Sequence, residues 1–290
     1  MGSEMCIRDR FEDIATHSLE LGLVEADREP YLGKNFKSPE VPMSITVHQF
    51  ACLSDNYGYL VRDDATGLAA CIDTPDAKVI LGELEKLGWK LSLILNTHWH
   101  ADHAGGNEEI KAATGCEVIG PAEVERLSPV DRKVSGDDVV QLGETTFQVI
   151  ESGGHTLQHV AFYSAANHTA FVGDTLFALG CGRMFEGTAP QMWESLQRLA
   201  ALPDDTKVYC AHEYTASNAR FALSVDADAA LKARADDIFD KRSRDEWTVP
   251  STIGLEKATN PFLRAPILRP DLVPHEAFAA LRTAKDNFKG

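Results

Sequence analysis

A chain of 290 residues, 44% apolar and 25% charged, has the composition of an ordinary globular protein with room for one large domain and an appendage. Its formal net charge of -16 argues against a nucleic-acid backbone or an anionic membrane as partner. No apolar run approaches the ~20 residues that a membrane-crossing helix needs.

Residues 1–42 differ from the rest of the chain. Acidic residues outnumber basic ones there, and Ser38-Pro39-Glu40-Val41-Pro42 reads as a linker. Ile14, Leu19, Leu21 and Leu23 give only a weak helical pattern. The segment lacks the features of a transit or signal peptide. It is expected to be an extension, poorly ordered or artefactual, with Met43 as the natural start.

From Ser44 the pattern is regular. Residues 45–50 alternate as a half-buried strand, and 56–61 and 68–73 give two more across the turn at 63–67. Asp73-Thr74-Pro75 is expected to open a helix, with Asp73 or Thr74 as its cap and Pro75 in first position. Val79, Leu84 and Leu87 supply its apolar face, and Gly88 ends it. Leu91, Leu93, Ile94 and Leu95 form a buried strand. A helix over 106–114, a strand at 116–119, a hairpin of 139–142 with 145–150, and strands at 160–164 and 170–172 come next. Past Glu213 the composition turns helical over 217–223, 229–242 and 275–285. The six cysteines (Cys6, Cys52, Cys71, Cys116, Cys181, Cys210) form no CxxC pair, which suits small buried hydrophobes in a reduced, cytoplasmic setting.

The chemistry concentrates in Thr97-His98-Trp99-His100-Ala101-Asp102-His103, directly after the buried strand. Three imidazoles and a carboxylate within six residues offer the nitrogen and oxygen donors that suit Zn, Fe or Mn. His98 and His100 point the same way in an extended segment, and Asp102 and His103 sit one step further, where they could serve a second ion. Two metals need about seven ligand positions. His155 after a Gly-Gly turn, Asp174 after a strand and His212 after the strand 207–210 share the same strand-to-loop placement. Of the remaining histidines, His17, His48, His168 and His275 are isolated, while His159 lies four residues after His155 and could orient a ligand.

These motifs, Thr97-His98-x-His100-x-Asp102-His103, Gly154-His155-Thr156, Gly173-Asp174-Thr175 and His212, resemble the metallo-β-lactamase superfamily. The runs 180–188, 211–215, Leu53-Ser54-Asp55-Asn56-Tyr57, Asn260-Pro261-Phe262 and 281–288 resemble glyoxalase II, the hydroxyacylglutathione hydrolases. The resemblance covers the chain from Met43 onward. It implies an α+β fold, a metallo-β-lactamase-like αββα sandwich over 43–212 with a smaller helical, glutathione-binding domain over 213–290. It also implies two divalent ions per chain, zinc foremost, with iron or manganese as options. One would be held by His98, His100 and His155, the other by Asp102, His103 and His212, with Asp174 bridging.

The implied reaction is hydrolysis of S-D-lactoylglutathione to D-lactate and glutathione by a hydroxide shared between the ions, with Asp102 and Asp174 as catalytic groups. Arg183, Phe185, Tyr214, Arg282 and Lys285 occupy the family's glutathione-contact positions. Arg282 and Lys285, three apart, would share a helix face. Phe185 lacks the hydroxyl that some members place there. The expected partner is a small molecule, with neither nucleic acid nor membrane, and the expected state a monomer. The rivals are another enzyme of the superfamily, such as a mononuclear-iron persulfide dioxygenase, and a non-catalytic glutathione- or metal-binding module. The complete ligand set and the basic helical tail argue against both.

Overall fold

The computed structural model describes residues 44–290. The expectations for the preceding segment, with its helix, linker, Cys6 and His17, lie outside the described residues.

Alternating and fully apolar runs become strands of two six-stranded sheets. The first contains β1 (Ile45–Cys52), β2 (Asn56–Asp63), β3 (Leu68–Ile72), β4 (Lys90–Leu95), β5 (Glu117–Gly120) and β6 (Arg132–Lys133), in that spatial order. Its first three strands run antiparallel and its last four parallel. The second is built from β7 (Val139–Leu142), β8 (Thr145–Glu151), β9 (Val160–Ser164), β10 (Thr169–Gly173), then, beyond the small hairpin β11 (Leu176–Phe177) and β12 (Gly180–Cys181), β13 (Lys207–Cys210) and β14 (Ser251–Thr252). Its order is β14-β13-β10-β9-β8-β7.

The sheets face each other across a core that includes Tyr59, Val61, Leu95, Phe147, Phe162 and Phe171. Helices α1 (Ala77–Leu87) and α3 (Asn107–Thr114) flank the single turn α2 (Ala101–Ala104). Ile80, Leu84 and Ile110 pack on the outer side of the first sheet against Leu60, Ile94 and Val118. Helix α4 (Ala189–Ala200) buries Met192, Leu196 and Leu199 against the main core. The layers therefore run helix, sheet, sheet, helix.

The C-terminal part holds α5 (Thr215–Val225), α6 (Ala229–Ser243), α7 (Ile253–Thr259), α8 (Ala265–Leu268) and α9 (Pro274–Asp286). Ala219 and Ala222 pack against Leu231, Ala235 and Ile238, with Leu179 reaching in from the hairpin. This part also completes the second sheet, since Ser251 and Thr252 pair with Val208 and Lys207. Among the described residues no helix is long and apolar enough to cross a membrane. The five described cysteines are buried and free, as their scatter suggested.

One local expectation changes. Helix α1 is capped by Asp76, whose side chain accepts from the Val79 amide at 3.1 Å, not by Asp73 or Thr74. Asp73 instead takes a left-handed conformation with φ of 56° and turns its carboxylate toward the histidine loop. Gly88 closes α1 in the left-handed conformation, as expected.

Candidate metal centre

Strand β4 ends at Leu95 and releases the chain into the histidine loop. Side chains fix that loop where regular structure does not. Asn96 Nδ2 donates to the His103 carbonyl at 2.9 Å, Asn107 Nδ2 donates to Asn96 Oδ1 at 2.8 Å, and Thr74 Oγ1 donates to Asn107 Oδ1 at 2.7 Å. The loop presents His98, His100, Asp102 and His103 at the end of the first sheet. The second sheet supplies His155 after β8, Asp174 after β10 and His212 after β13.

The structure brings all seven candidate ligands together. They form three overlapping groups: His98 with His100 and His155, His98 with His103 and Asp174, and Asp102 with His103 and His212. His98 Nε2 and His155 Nε2 approach His100 Nδ1 at 3.0 and 3.1 Å. Asp174 spans the groups: Oδ1 lies 3.3 Å from His212 Nε2 and 3.5 Å from His103 Nε2, and Oδ2 lies 3.4 Å from His155 Nε2. Asp102 Oδ2 is 3.5 Å from both His103 Nε2 and His212 Nε2. Ligands placed 2.0–2.1 Å from a tetrahedral ion lie about 3.3 Å from one another. These are ligand spacings.

The outer partners of the imidazoles set their tautomers. His155 Nδ1 faces the Arg183 carbonyl at 2.8 Å, which can only accept, so Nδ1 carries the proton and Nε2 turns a lone pair inward. His103 Nδ1 meets Asp73 Oδ2 at 2.8 Å, and His212 Nδ1 meets Asp55 Oδ1 at 2.8 Å, with the same consequence. Thr97 Oγ1 donates to Asp73 Oδ2 at 2.8 Å, so it accepts from His98 Nδ1 at 3.0 Å. Four lone pairs therefore converge with two carboxylates, and His103 Nε2 and Asp174 Oδ1 are buried with no hydrogen-bond partner. Orphaned buried donors and acceptors are costly. A cation between them removes the cost.

Electrostatics give the same answer. Burial disfavours a charged His103, yet the carboxylates of Asp174, Asp73 and Asp102 lift its pKa to about 9. His212 rises against its own burial, chiefly through Asp174. Asp174 is pushed up by burial but held far below the usual carboxylate range by His212 and His103. Around His103 and His212 the carboxylates favour added positive charge. Burial lowers the pKa of His98, His100 and His155 and keeps those imidazoles neutral, the form in which imidazole binds metal. The donor set fits a divalent metal.

Three of the other described histidines lie apart. His48 pairs with Glu83 and His168 with Asp205, each at 2.8 Å, and His275 stands on α9. His159 is buried beside the cluster, where Nε2 accepts from the Asp174 amide at 3.1 Å and Nδ1 meets Ser152 Oγ at 2.8 Å. It orients Asp174. Asp73, a helix cap by its sequence context, holds His103 directly and His98 through Thr97. Sequence reasoning misses Glu123: its buried carboxylate accepts from Thr156 Oγ1 and, at 2.8 Å, from the Gln158 amide, pinning the loop that carries His155.

A cleft of about 400 Å³ opens beside His155 and Asp174, and Arg183, Phe185, Tyr214, Arg282 and Lys285 all line it. Tyr214 stacks parallel on His212 with ring centres 4.7 Å apart, and Phe185 meets His100 and His155 edge-on at 5.7 and 5.3 Å. Arg183 is exposed, whereas Arg282 is only 4% exposed. The Arg282 guanidinium donates to the Cys181 carbonyl at 2.8 Å and to Asp286 Oδ1 at 2.9 Å, leaving its Nε unpaired. Lys285 Nζ rests on Ser217 O and Oγ at 3.0 Å. Gly182 lies against this wall because a Cβ there would fall 2.0 Å from the Asp174 carbonyl oxygen.

Comparison with known proteins matches both parts of the chain. The metallo-beta-lactamase superfamily accounts for residues 63–212, and the C-terminal region of hydroxyacylglutathione hydrolase for residues 213–288. The hydroxyacylglutathione hydrolase of Erythrobacter litoralis is 54% identical over 252 residues, 84% of this chain and 100% of its own length. That of Hyphomonas neptunium is 52% identical, over 84% of this chain and 98% of its own. The chain belongs to the hydroxyacylglutathione hydrolase family. Among solved structures, ETHE1 from Myxococcus xanthus superposes with a TM-score of 0.63 at 25% identity, over 84% of this chain and 92% of that one. TTHA1623 in a di-iron-bound form gives 0.55 at 25% identity, over 75% of this chain and all of that one. As a hydroxyacylglutathione hydrolase family member the protein is a metal-dependent thioester hydrolase acting on a small molecule.

Proposed function

We propose that the protein cleaves S-D-lactoylglutathione to D-lactate and glutathione at two metal positions. One is formed by His98, His100 and His155, the other by Asp102, His103 and His212, with Asp174 shared. The supporting observation is that the two oxygens of Asp174 face different histidine groups, at the floor of a cleft edged with cations. The all-nitrogen-and-oxygen donor set suits zinc first, and iron or manganese as well. Divalent ions held by these residues would supply a water of lowered pKa and polarisation of the thioester carbonyl.

The chain's own residues do the rest. Asp102, kept ionised by His103 and by the Asn56 amide despite its partial burial, holds the attacking water by accepting its hydrogen bond. The thiolate of glutathione departs unaided, because a thiol pKa is only about 8.5. Arg183 and Lys285 attract the carboxylates of the glutathione moiety, and Tyr214 and Phe185 flank it. Arg282 contributes by fixing the Cys181 carbonyl and so the wall of the cleft. In this reading residues 43–212 carry the chemistry and, through Arg183 and Phe185, part of the glutathione site, and 213–290 supply its helical wall with Tyr214 and Lys285, in a cytoplasmic monomer.

Loss of thioester absorbance on adding protein to S-D-lactoylglutathione, with metal counted on the same sample, is the direct test. Turnover with about two metals per chain is expected; a loaded protein inert to the thioester would overturn the proposal. A pH dependence arises from Lys285. Burial and then the charges of Arg282, Arg220 and Arg183 lower its pKa to about 8. It is charged below that pH and neutral above it, so KM should rise up to about tenfold between pH 7 and 9. Lys285→Arg keeps its charge and should flatten that rise; an unchanged profile in the variant would refute the assignment.

A further inference from the structure

The turn joining β1 to β2, Leu53-Ser54-Asp55, is an unusual piece of backbone. Leu53 is a non-glycine residue at φ of 49° and is 56% exposed, so neither packing nor residue type favours its conformation. What the turn accomplishes lies at its other end. Asp55 Oδ1 receives His212 Nδ1–H at 2.8 Å. The next residue, Asn56, donates through Nδ2 to Asp102 Oδ2 at 3.1 Å and to the Asp102 carbonyl at 3.3 Å. The backbone binds the same region, with the Glu213 amide donating to the Asp55 carbonyl at 2.9 Å and the Tyr57 amide to the Ala211 carbonyl at 2.8 Å. Two consecutive side chains thus reach two ligands of one metal position, His212 at its outer nitrogen and Asp102 at the same Oδ2 that faces His103 and His212.

The other position has different supports. His98 leans on Thr97 and His155 on the Arg183 carbonyl. Asp73 serves both, through His103 and through Thr97 to His98. We propose that Asp55 and Asn56 are positioning residues for the Asp102–His103–His212 position alone, and that the β1–β2 turn sets how tightly that position holds its ion relative to the other. The inference rests on the two-position reading above. A carboxylate accepting from Nδ1–H fixes the ring and raises the basicity of Nε2, and loss of such a partner typically weakens metal binding 10- to 100-fold. Asn56 acts on Asp102 by fixing which oxygen faces inward.

Metal affinity tests this independently of turnover. Zinc is titrated into metal-stripped wild-type, Asp55→Ala, Asp55→Asn and Asn56→Ala protein against a competing chelator, and the two dissociation constants are fitted. One of the two constants should keep its wild-type value in every variant. The other should weaken about 10- to 100-fold in Asp55→Ala, less in Asp55→Asn, which retains an acceptor oxygen, and measurably in Asn56→Ala. The near-isosteric Asp55→Asn guards against simple misfolding. Two wild-type constants in Asp55→Ala, or equal weakening of both in Asp55→Asn, would overturn the inference. A wild-type protein binding one ion per chain would instead remove the two-position reading on which it stands.

Discussion

Asp174→Asn is expected to lower thioester hydrolysis by about 10³-fold or more, the scale on which metal polarisation and water activation contribute to a barrier. The substitution is nearly isosteric, and the backbone is held independently, by His159 Nε2 at the Asp174 amide. What changes is the pair of inward oxygens. Oδ1 faces His212 and His103, and Oδ2 faces His155. An asparagine offers one oxygen and one amide nitrogen, whose hydrogens point at a cluster of lone pairs and whose charge is zero. One group must lose its shared ligand. Initial rates with S-D-lactoylglutathione, read beside metal content, decide the matter. Wild-type turnover in Asp174→Asn would refute a bridging role.

Glu256→Ala should be the most damaging substitution away from the metal. Its carboxylate is fully buried, receives Arg234 and Ser251 on Oε1, and accepts on Oε2 from the Leu179 amide at 2.9 Å and Asn260 Nδ2 at 3.0 Å. Removing one partner of such a pair leaves the Arg234 guanidinium buried without its counter-charge, at a cost of about 3–5 kcal/mol. For a chain of this size that lowers the melting temperature by about 10 °C. Leu179 leads directly into β12 and then Gly182 beside Asp174, so KM should rise too. Thermal melts with Glu256→Gln as the milder comparison check this; a melting temperature within ~2 °C of wild type would refute it.

The metal cluster was legible because its chemistry is dense in the sequence. His98, His100, Asp102 and His103 follow one apolar strand, and His155, Asp174 and His212 each follow another strand or a tight turn. The sheets were legible for the same reason of patterning. Partners selected by long-range contact were not. Asp73 precedes Thr74-Pro75 and looks locally like a helix cap, yet its conformation answers to Thr97 and His103 across the loop. Arg282 and Lys285 share a face of α9 as their spacing requires, but that face packs on the β11–β12 hairpin, which buries the arginine and leaves the lysine at the cleft. Helix α4 is absent from the sequence-based expectations although Thr188, Pro190 and the Met192, Leu196, Leu199 stripe signal it.

The seven donors come from distant segments: four from one loop on the first sheet, and one each from three strand ends of the second. An ion seated among them is a cross-link between the two halves of the sandwich, present only in the folded chain. By mass action its binding energy is folding energy, and each tenfold rise in free metal above the dissociation constant adds about 1.4 kcal/mol. Scarcity of metal therefore acts on the lifetime of the polypeptide as well as on its turnover. A chain left unloaded opens more often, and proteases that survey open chains remove it.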